Sequence, residues 1–273
     1  MVKLKPFSRI IVSNTIFLSI AILVSISGFW NIYFGPNSAP TFYQNIHVLT
    51  TFAWLFLLMT QLIFIAKANF LMHIKLGASI LILGPSLIAT LVLLSVHSAA
   101  RAAGQGEADM LVIQNIFPAL EVGLLLILGF IFRRNRILHG QLLVSTTLFF
   151  FGIALFFTLI SFVPQYQITG PETLYRFEDA GITATYISAF FGMILFFVQR
   201  RSGWPWLLVT ALFFINGYIN YLITEANQAK ALTALIGSVN EYLAFFGTFL
   251  IALSSLIFSL SEYMTKRLGQ VKR

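Results

Sequence analysis

Four histidines are the residues of this chain best suited to bind a metal or a haem. His47, His73, His97 and His139 each lie close to one end of a long apolar stretch. Imidazole nitrogen binds haem iron, copper and zinc, and it also relays protons near neutral pH. Cysteine is absent, so the sequence excludes thiolate metal sites, disulfides and c-type haem attachment. The histidines therefore predict haem b or a metal ion as the candidate cofactor, although hydrogen bonding or solvation near a helix end explains a single histidine equally well.

Glu121 is the acidic residue that lies deepest inside an apolar stretch, about ten residues from either end. An ionised carboxylate facing lipid is costly, so this group is expected to be protonated or paired. Gln114 shares its helix face, and Pro118 between them leaves one backbone carbonyl without its helical partner. Intramembrane carboxylates mark proton paths, ion sites or counter-charges. This face predicts a proton-coupled or small-molecule transport site as the alternative to a cofactor.

Two further apolar stretches carry polar side chains at helical spacing. His47, Trp54 and Gln61 repeat every seven residues, and Asn216 and Asn220 lie four residues apart. Each set therefore lies along one helix face. An amide in hydrocarbon needs a partner, so these faces are expected to turn toward other helices or a cavity. Interhelical hydrogen bonding and ligand binding both explain them.

Eight apolar stretches of roughly 20 residues contain these side chains or adjoin them. Hydrophobic residues make up 58% of the 273 residues and charged residues 10%, which is far from the composition of a soluble domain. The sequence thus predicts an all-α integral membrane protein, a single domain of eight transmembrane helices without a soluble domain. The spans are expected near 10–32, 45–66, 75–96, 111–132, 141–163, 181–199, 204–223 and 240–261.

Lysine and arginine alternate between the connectors, with 14 on one side and 3 on the other. Basic connectors stay in the cytoplasm, so both termini are predicted to be cytoplasmic. The net charge of +8 is then membrane-orienting charge, and nucleic acid is excluded as a partner. The expected partners are the lipid bilayer, another membrane protein or a second copy of the chain.

This topology places the four histidines in two layers. His47 and His97 lie at the outer end of one helical hairpin, where they are able to approach each other. His73 and His139 lie on the cytoplasmic side and become neighbours if the third and fifth spans pack together. His73 and His97 are 24 residues apart, about 120° out of phase on a helix, so they are not expected to belong to one ligand stack.

The segment from His47 to Gly77 reads HVLTTFAWLFLLMTQLIFIAKANFLMHIKLG, and RRNRILHGQLL follows later. The pattern of His, Trp, Gln and His-x-x-x-Gly, with a second basic hairpin followed by His, resembles bacterial multi-span proteins grouped with the cytochrome b561-like and DUF2306-like families. The resemblance covers spans two to five. It implies a helical bundle of the bacterial inner membrane, with His47, His73 and His139 as the family-like positions.

Several classes of function are excluded by what the sequence lacks. No lysine lies in the interior of a span, so there is no retinal Schiff base, and no glycine-rich nucleotide-binding motif occurs. HExxH and GxSxG are also absent, and no catalytic residue is identified. Three classes remain: a histidine-ligated redox or metal protein, a transporter built around Glu121, and a receptor, assembly factor or accessory subunit without catalysis.

Overall fold

The computed structural model describes the backbone of residues 6–271, and their side chains except those of residues 6, 7, 110, 113 and 261–271. Lys3, Lys5, Lys272 and Arg273 contribute to the predicted charge asymmetry but lie outside the described residues, as do the side chains of Lys266 and Arg267. Within the described backbone the chain is helical and forms no strand. The all-α prediction is therefore confirmed for this part of the chain.

Eleven α-helices follow one another through residues 6–271. They are α1 (Pro6–Gly28), α2 (Phe42–Ala66), α3 (Phe70–Gly77), α4 (Ile80–Gly104), α5 (Met110–Ile131), α6 (Arg136–Ser145), α7 (Thr147–Phe162), α8 (Tyr175–Gln199), α9 (Trp204–Glu225), α10 (Ala229–Gly237) and α11 (Thr248–Val271). A π-helical turn, Leu243–Gly247, leads into α11. Such turns widen the helix locally and often occur at functional sites.

Seven helical stretches of the described chain are long and apolar enough to cross a membrane. The sixth of them, Pro171–Glu225, contains both α8 and α9, which are separated only by the 3-10 turn Arg200–Gly203. The fifth, Arg136–Phe162, joins α6 and α7. A bilayer environment follows from the length and apolar character of these helices. The predicted number of eight spans and the cytoplasmic position of both termini stay predictions.

The described chain divides into two compact units, and the prediction of a single domain stays a prediction. Unit 1 comprises residues 1–41, 55–70 and 144–215, and unit 2 comprises residues 42–54, 71–143 and 216–273. In unit 1, α1 packs against α7 and α8. Gly28 makes the first of these contacts possible, because a Cβ there would lie 2.1 Å from the carbonyl oxygen of Ala154.

A buried polar cluster connects three helices of unit 1. The Gln199 amide donates to Asn14 Oδ1 at 2.6 Å, and the Trp206 indole N–H donates to Gln199 Oε1 at 3.1 Å. Gln199, Asn14 and Trp206 are all buried, so each hydrogen bond replaces one that water would otherwise make. The cluster holds α1, α8 and α9 in register and contains no titratable group.

Unit 2 is built around α4, which packs against α5, α10 and α11. The turn between α4 and α5 is fixed by Asp109, which caps α5 by accepting a hydrogen bond from the backbone N–H of Leu111 at 2.9 Å. Ser98 of α4 donates to the other oxygen of the same carboxylate. The backbone N–H of Asp109 donates to Thr233 Oγ1 of α10 at 3.0 Å, so three elements meet at this turn.

Two short helices, α3 and α10, are absent from the sequence prediction. The predicted third span begins at residue 75, whereas the structure begins α4 at Ile80 and puts His73 and Lys75 on α3. In α10, Gly237 lies directly on the α4 backbone, because a Cβ there would be 2.7 Å from the backbone nitrogen of Ala100. Helices of eight and nine residues are too short for hydropathy patterns to distinguish from a span end or a loop.

Candidate functional site

The middle of α5 contains a carboxyl group that is hydrogen-bonded to a second long apolar helix. Asn216 Nδ2 of α9 donates to Glu121 Oε2 of α5 at 3.0 Å. Glu121 is buried, with 9% of its surface exposed, and Asn216 is half-buried. Glu121 lies eleven residues from the start of α5, a distance of about 16 Å along the helix. The sequence pointed to both residues, and the structure brings them together.

The polar face of α9 continues one turn beyond Asn216. Asn220 Oδ1 is buried and accepts no hydrogen bond from the described residues. Its position four residues after Asn216 puts it on the same face of α9. Gln114, which was predicted to share the face of Glu121, is exposed in the structure. The intramembrane site therefore consists of Glu121 and Asn216, and Asn220 lies one helical turn further along the same face of α9.

The chemistry of this site depends on the partner being a neutral amide. An arginine or lysine in the place of Asn216 would hold the carboxylate ionised by its charge. An amide N–H stabilises the carboxylate through one hydrogen bond and leaves its charge uncompensated in apolar surroundings. A carboxyl group with such a partner is able to take up and release a proton without breaking an ion pair.

A second cluster, here called the acidic end, lies where α2, α4 and the entry to α11 meet in unit 2. Tyr43 Oη donates to Glu241 Oε2 at 2.6 Å, and Glu241 Oε1 lies 2.9 Å from His97 Nδ1. The Tyr43 ring stacks on the His97 ring with centroids 3.7 Å apart. Hydrogen bonds from Tyr43 and His97 lower the pKa of Glu241 below its ordinary value. About a third of the His97 and Glu241 side chains is exposed, so protons reach this cluster from water.

His47 lies in the same unit but has other partners. Its Nδ1 is 3.4 Å from Thr90 Oγ1, and its Nε2 is 3.5 Å from Thr51 Oγ1. Thr90 Oγ1 is also 2.8 Å from Thr50 Oγ1, which connects α2 to α4. The sequence allowed His47 and His97 to approach each other, whereas the structure gives each of them a hydrogen-bonding partner of its own.

A third cluster, here called the basic end, contains His73, His139, Arg133 and Arg134 of unit 2. His139 Nδ1 lies 2.8 Å from the Gly129 carbonyl oxygen, so Nδ1 donates a proton, and in the neutral imidazole the lone pair is on Nε2. Burial and the neighbouring His139 lower the pKa of His73 below its ordinary value. Arg133 Nη2 donates to the Leu260 carbonyl of α11 at 3.3 Å.

The described side chains include histidines that could bind a metal or a haem, but they do not form a complete metal site. Among the residues with described side chains, no three histidine, aspartate or glutamate side chains come together as a metal site. His139 lowers the pKa of His73 through its charge, so the two histidines lie within electrostatic range of each other. A neutral imidazole with its Nδ1–H bound to a backbone carbonyl is the ligand form of histidine.

The two remaining predicted residues, Trp54 and Gln61, lie in the interior of the protein. Trp54 and Gln61 are buried; Trp54 belongs to unit 2, and Gln61 belongs to unit 1. All four histidines, Glu121, Asn216 and Asn220 belong to unit 2. Sequence reasoning missed Tyr43 and Thr90, although Tyr43 lies one turn before His47 and shares its helix face.

No known protein family, curated protein or solved structure matches this chain. The resemblance to the cytochrome b561-like and DUF2306-like families thus stays a prediction.

Proposed function

We propose that this chain is a proton-coupled transporter of the inner membrane in which Glu121 takes up and releases the proton. The observation that carries the proposal is the 3.0 Å hydrogen bond between Asn216 Nδ2 and Glu121 Oε2 in the middle of two long apolar helices. An ionised carboxyl group in the membrane is costly when its partner is neutral, and protonation removes that cost. Such a group is therefore suited to take up and release a proton. The alternation of 14 basic residues against 3 supports a cytoplasmic basic end.

In this proposal Asn216 is the hydrogen-bonding partner of ionised Glu121, and Asn220 is the partner of protonated Glu121. The Asn216 amide donates to the carboxylate, as the structure has it. When the carboxyl group is protonated, its O–H becomes a donor, and Asn220 Oδ1 is the buried acceptor on the same face of α9. Because each state has a partner, uptake and release need only a rotation of side chains. The two asparagines are therefore positioning residues for the proton.

Titratable groups lie at both ends of unit 2, where the proton would enter and leave. The acidic end offers Glu241 and His97, and the basic end offers His73 and His139. Glu121 is about 16 Å along α5 from the start of that helix, so in this proposal ordered water carries the proton between Glu121 and the titratable groups at the two ends. All of these groups belong to unit 2, which makes this unit the proposed proton route.

Proton flux into liposomes tests the proposal. The purified protein is reconstituted with a pH-sensitive dye inside, and a potassium gradient with valinomycin drives protons inward. Wild type and Glu107→Gln, which changes an exposed carboxylate in the α4–α5 turn, are expected to show equal flux. Glu121→Gln keeps an acceptor for Asn216 but has no titratable proton, so its flux is expected to fall to that of empty liposomes. Full flux in Glu121→Gln, in correctly folded protein, would refute the proposal.

A redox or metal-binding function is the second candidate, and one observation favours it. The hydrogen bond from His139 Nδ1 to Gly129 leaves Nε2 as a ligand, and His73 is its neighbour. Haem b bound by these two imidazoles would supply one-electron chemistry at the basic end.

Absorption spectra of oxidised and reduced protein, together with elemental analysis, test this candidate. It expects a haem band or bound metal that is lost in His139→Ala and in His73→Ala but kept in His47→Ala, because His47 contacts threonine hydroxyls. Colourless, metal-free protein from cells supplied with haem and iron would contradict it and leave the proton transporter as the remaining proposal.

A further inference from the structure

A groove on the apolar surface of unit 2 does not have Glu121 among its lining residues. It encloses about 270 Å³ and is lined by residues of α5 between 119 and 127, by residues of α11 between 248 and 256, and by Ile88 of α4. Its lining is almost wholly apolar, and the Ser255 hydroxyl is satisfied by the Ile251 carbonyl at 2.8 Å. Leu120 and Ile251 are 66% and 71% exposed, so the groove opens sideways onto the apolar surface.

Positive charge lies beyond one end of this groove. α5 ends at Ile131, four residues after Ile127 of the groove, and Arg133 and Arg134 follow after Phe132. Arg133 reaches across to α11 through its hydrogen bond to the Leu260 carbonyl, so it lies between the same two helices that form the groove. Arg134 is exposed. The arrangement is an apolar groove about 12 Å long, measured along α5, with two arginines beyond its end in the chain.

We propose that this groove binds an anionic phospholipid, with one acyl chain along α5 and α11 and the phosphate at Arg133 and Arg134. The volume is slightly below the range of pockets for drug-sized ligands, which suits part of a hydrocarbon chain. A transmembrane helix about 10 Å wide would not enter it. Guanidinium is the side chain that binds phosphate with paired hydrogen bonds, so the charge selects an anionic headgroup.

Native mass spectrometry of the protein in mild detergent tests this inference with lipids of matched chains. Phosphatidylglycerol and phosphatidylcholine carrying identical acyl chains are titrated separately, and their dissociation constants are compared. The proposal expects phosphatidylglycerol to bind more tightly. Arg133→Gln and Arg134→Gln are each expected to weaken its binding about fivefold. Arg101→Gln, at the far end of α4, is the charge-matched control and is expected to change nothing.

Two further experiments test whether the acyl chain of the lipid occupies the groove. Ala252→Phe puts an aromatic ring into the groove and leaves the arginines in place, so it is expected to reduce phosphatidylglycerol binding at least tenfold. The headgroup without acyl chains, glycerophosphoglycerol, is expected not to bind at comparable concentration. Equal binding of the two phospholipids, unchanged binding in the arginine variants, or a dimer that excludes lipid from the groove would each overturn the proposal.

Discussion

Removing the Glu121–Asn216 hydrogen bond, which joins α5 to α9, is expected to lower the stability of the protein by a measurable amount. Cross-helix hydrogen bonds in membrane proteins contribute about 0.6 kcal/mol on average and up to about 1.7 kcal/mol. Glu121 is buried and its partner distance is 3.0 Å, so this bond is expected toward the upper end of that range. Asn216→Leu should therefore lower the free energy of unfolding by about 1 to 2 kcal/mol.

A double-mutant cycle separates this bond from other effects of each substitution. Glu121→Leu, Asn216→Leu and the double variant are unfolded reversibly by SDS in mixed micelles, and helicity is followed by circular dichroism. The coupling free energy is expected to be about 1 kcal/mol. Glu121→Gln with Asn216 intact should lose less, because the Gln carbonyl still accepts from the amide. Effects of the two leucine substitutions that add to within about 0.3 kcal/mol would refute the contact.

Three further predictions concern packing, pH and topology. Gly237→Ala is expected to cost about 1 to 3 kcal/mol in the same unfolding assay, because the new Cβ meets the α4 backbone, whereas Gly104→Ala, which has open space, should not destabilise. Hydrogen bonds from Tyr43 and His97 lower the pKa of Glu241, so these bonds stabilise the protein above the ordinary glutamate pKa and the stabilisation is lost as pH falls through the lowered pKa. The melting temperature should therefore fall in acid more in wild type than in Glu241→Gln. Equal acid profiles of the two proteins would contradict this. The chain has no cysteine, so Asn135→Cys should react with an impermeant maleimide only in inverted vesicles and Gln105→Cys only in intact cells; the opposite pattern would reverse the predicted topology.

The helical, membrane-type architecture follows from the sequence because length and apolar composition alone determine it. Long apolar runs such as Phe42–Ala66 have no other stable form in hydrocarbon. Single polar residues in such runs are also conspicuous, which is why Glu121 and Asn216 stood out. Their pairing did not follow, because it depends on which helices are neighbours and how each is rotated about its axis. No periodicity within one helix carries that information.

The partners of the histidines also could not be predicted from the sequence. Histidine type and position near helix ends predicted two layers, which stay a prediction; in the structure His139 lowers the pKa of His73. The partners of His97 are Tyr43, which precedes it by 54 residues, and Glu241, which follows it by 144 residues. Tyrosine at a helix start is common at membrane interfaces, so Tyr43 gave no signal of a cluster.

Infrared difference spectroscopy across a pH step tests most directly whether Glu121 exchanges a proton. The protein in lipid is shifted between two buffers, and the C=O stretch of protonated carboxyl groups is recorded. The account predicts a carboxyl band that disappears in Glu121→Gln, moves in frequency in Asn216→Leu because a hydrogen bond is lost, and is unchanged in Glu107→Gln. A wild-type spectrum identical to that of Glu121→Gln at every pH step would mean that this carboxyl group does not titrate, and the proposed proton route through unit 2 would be wrong.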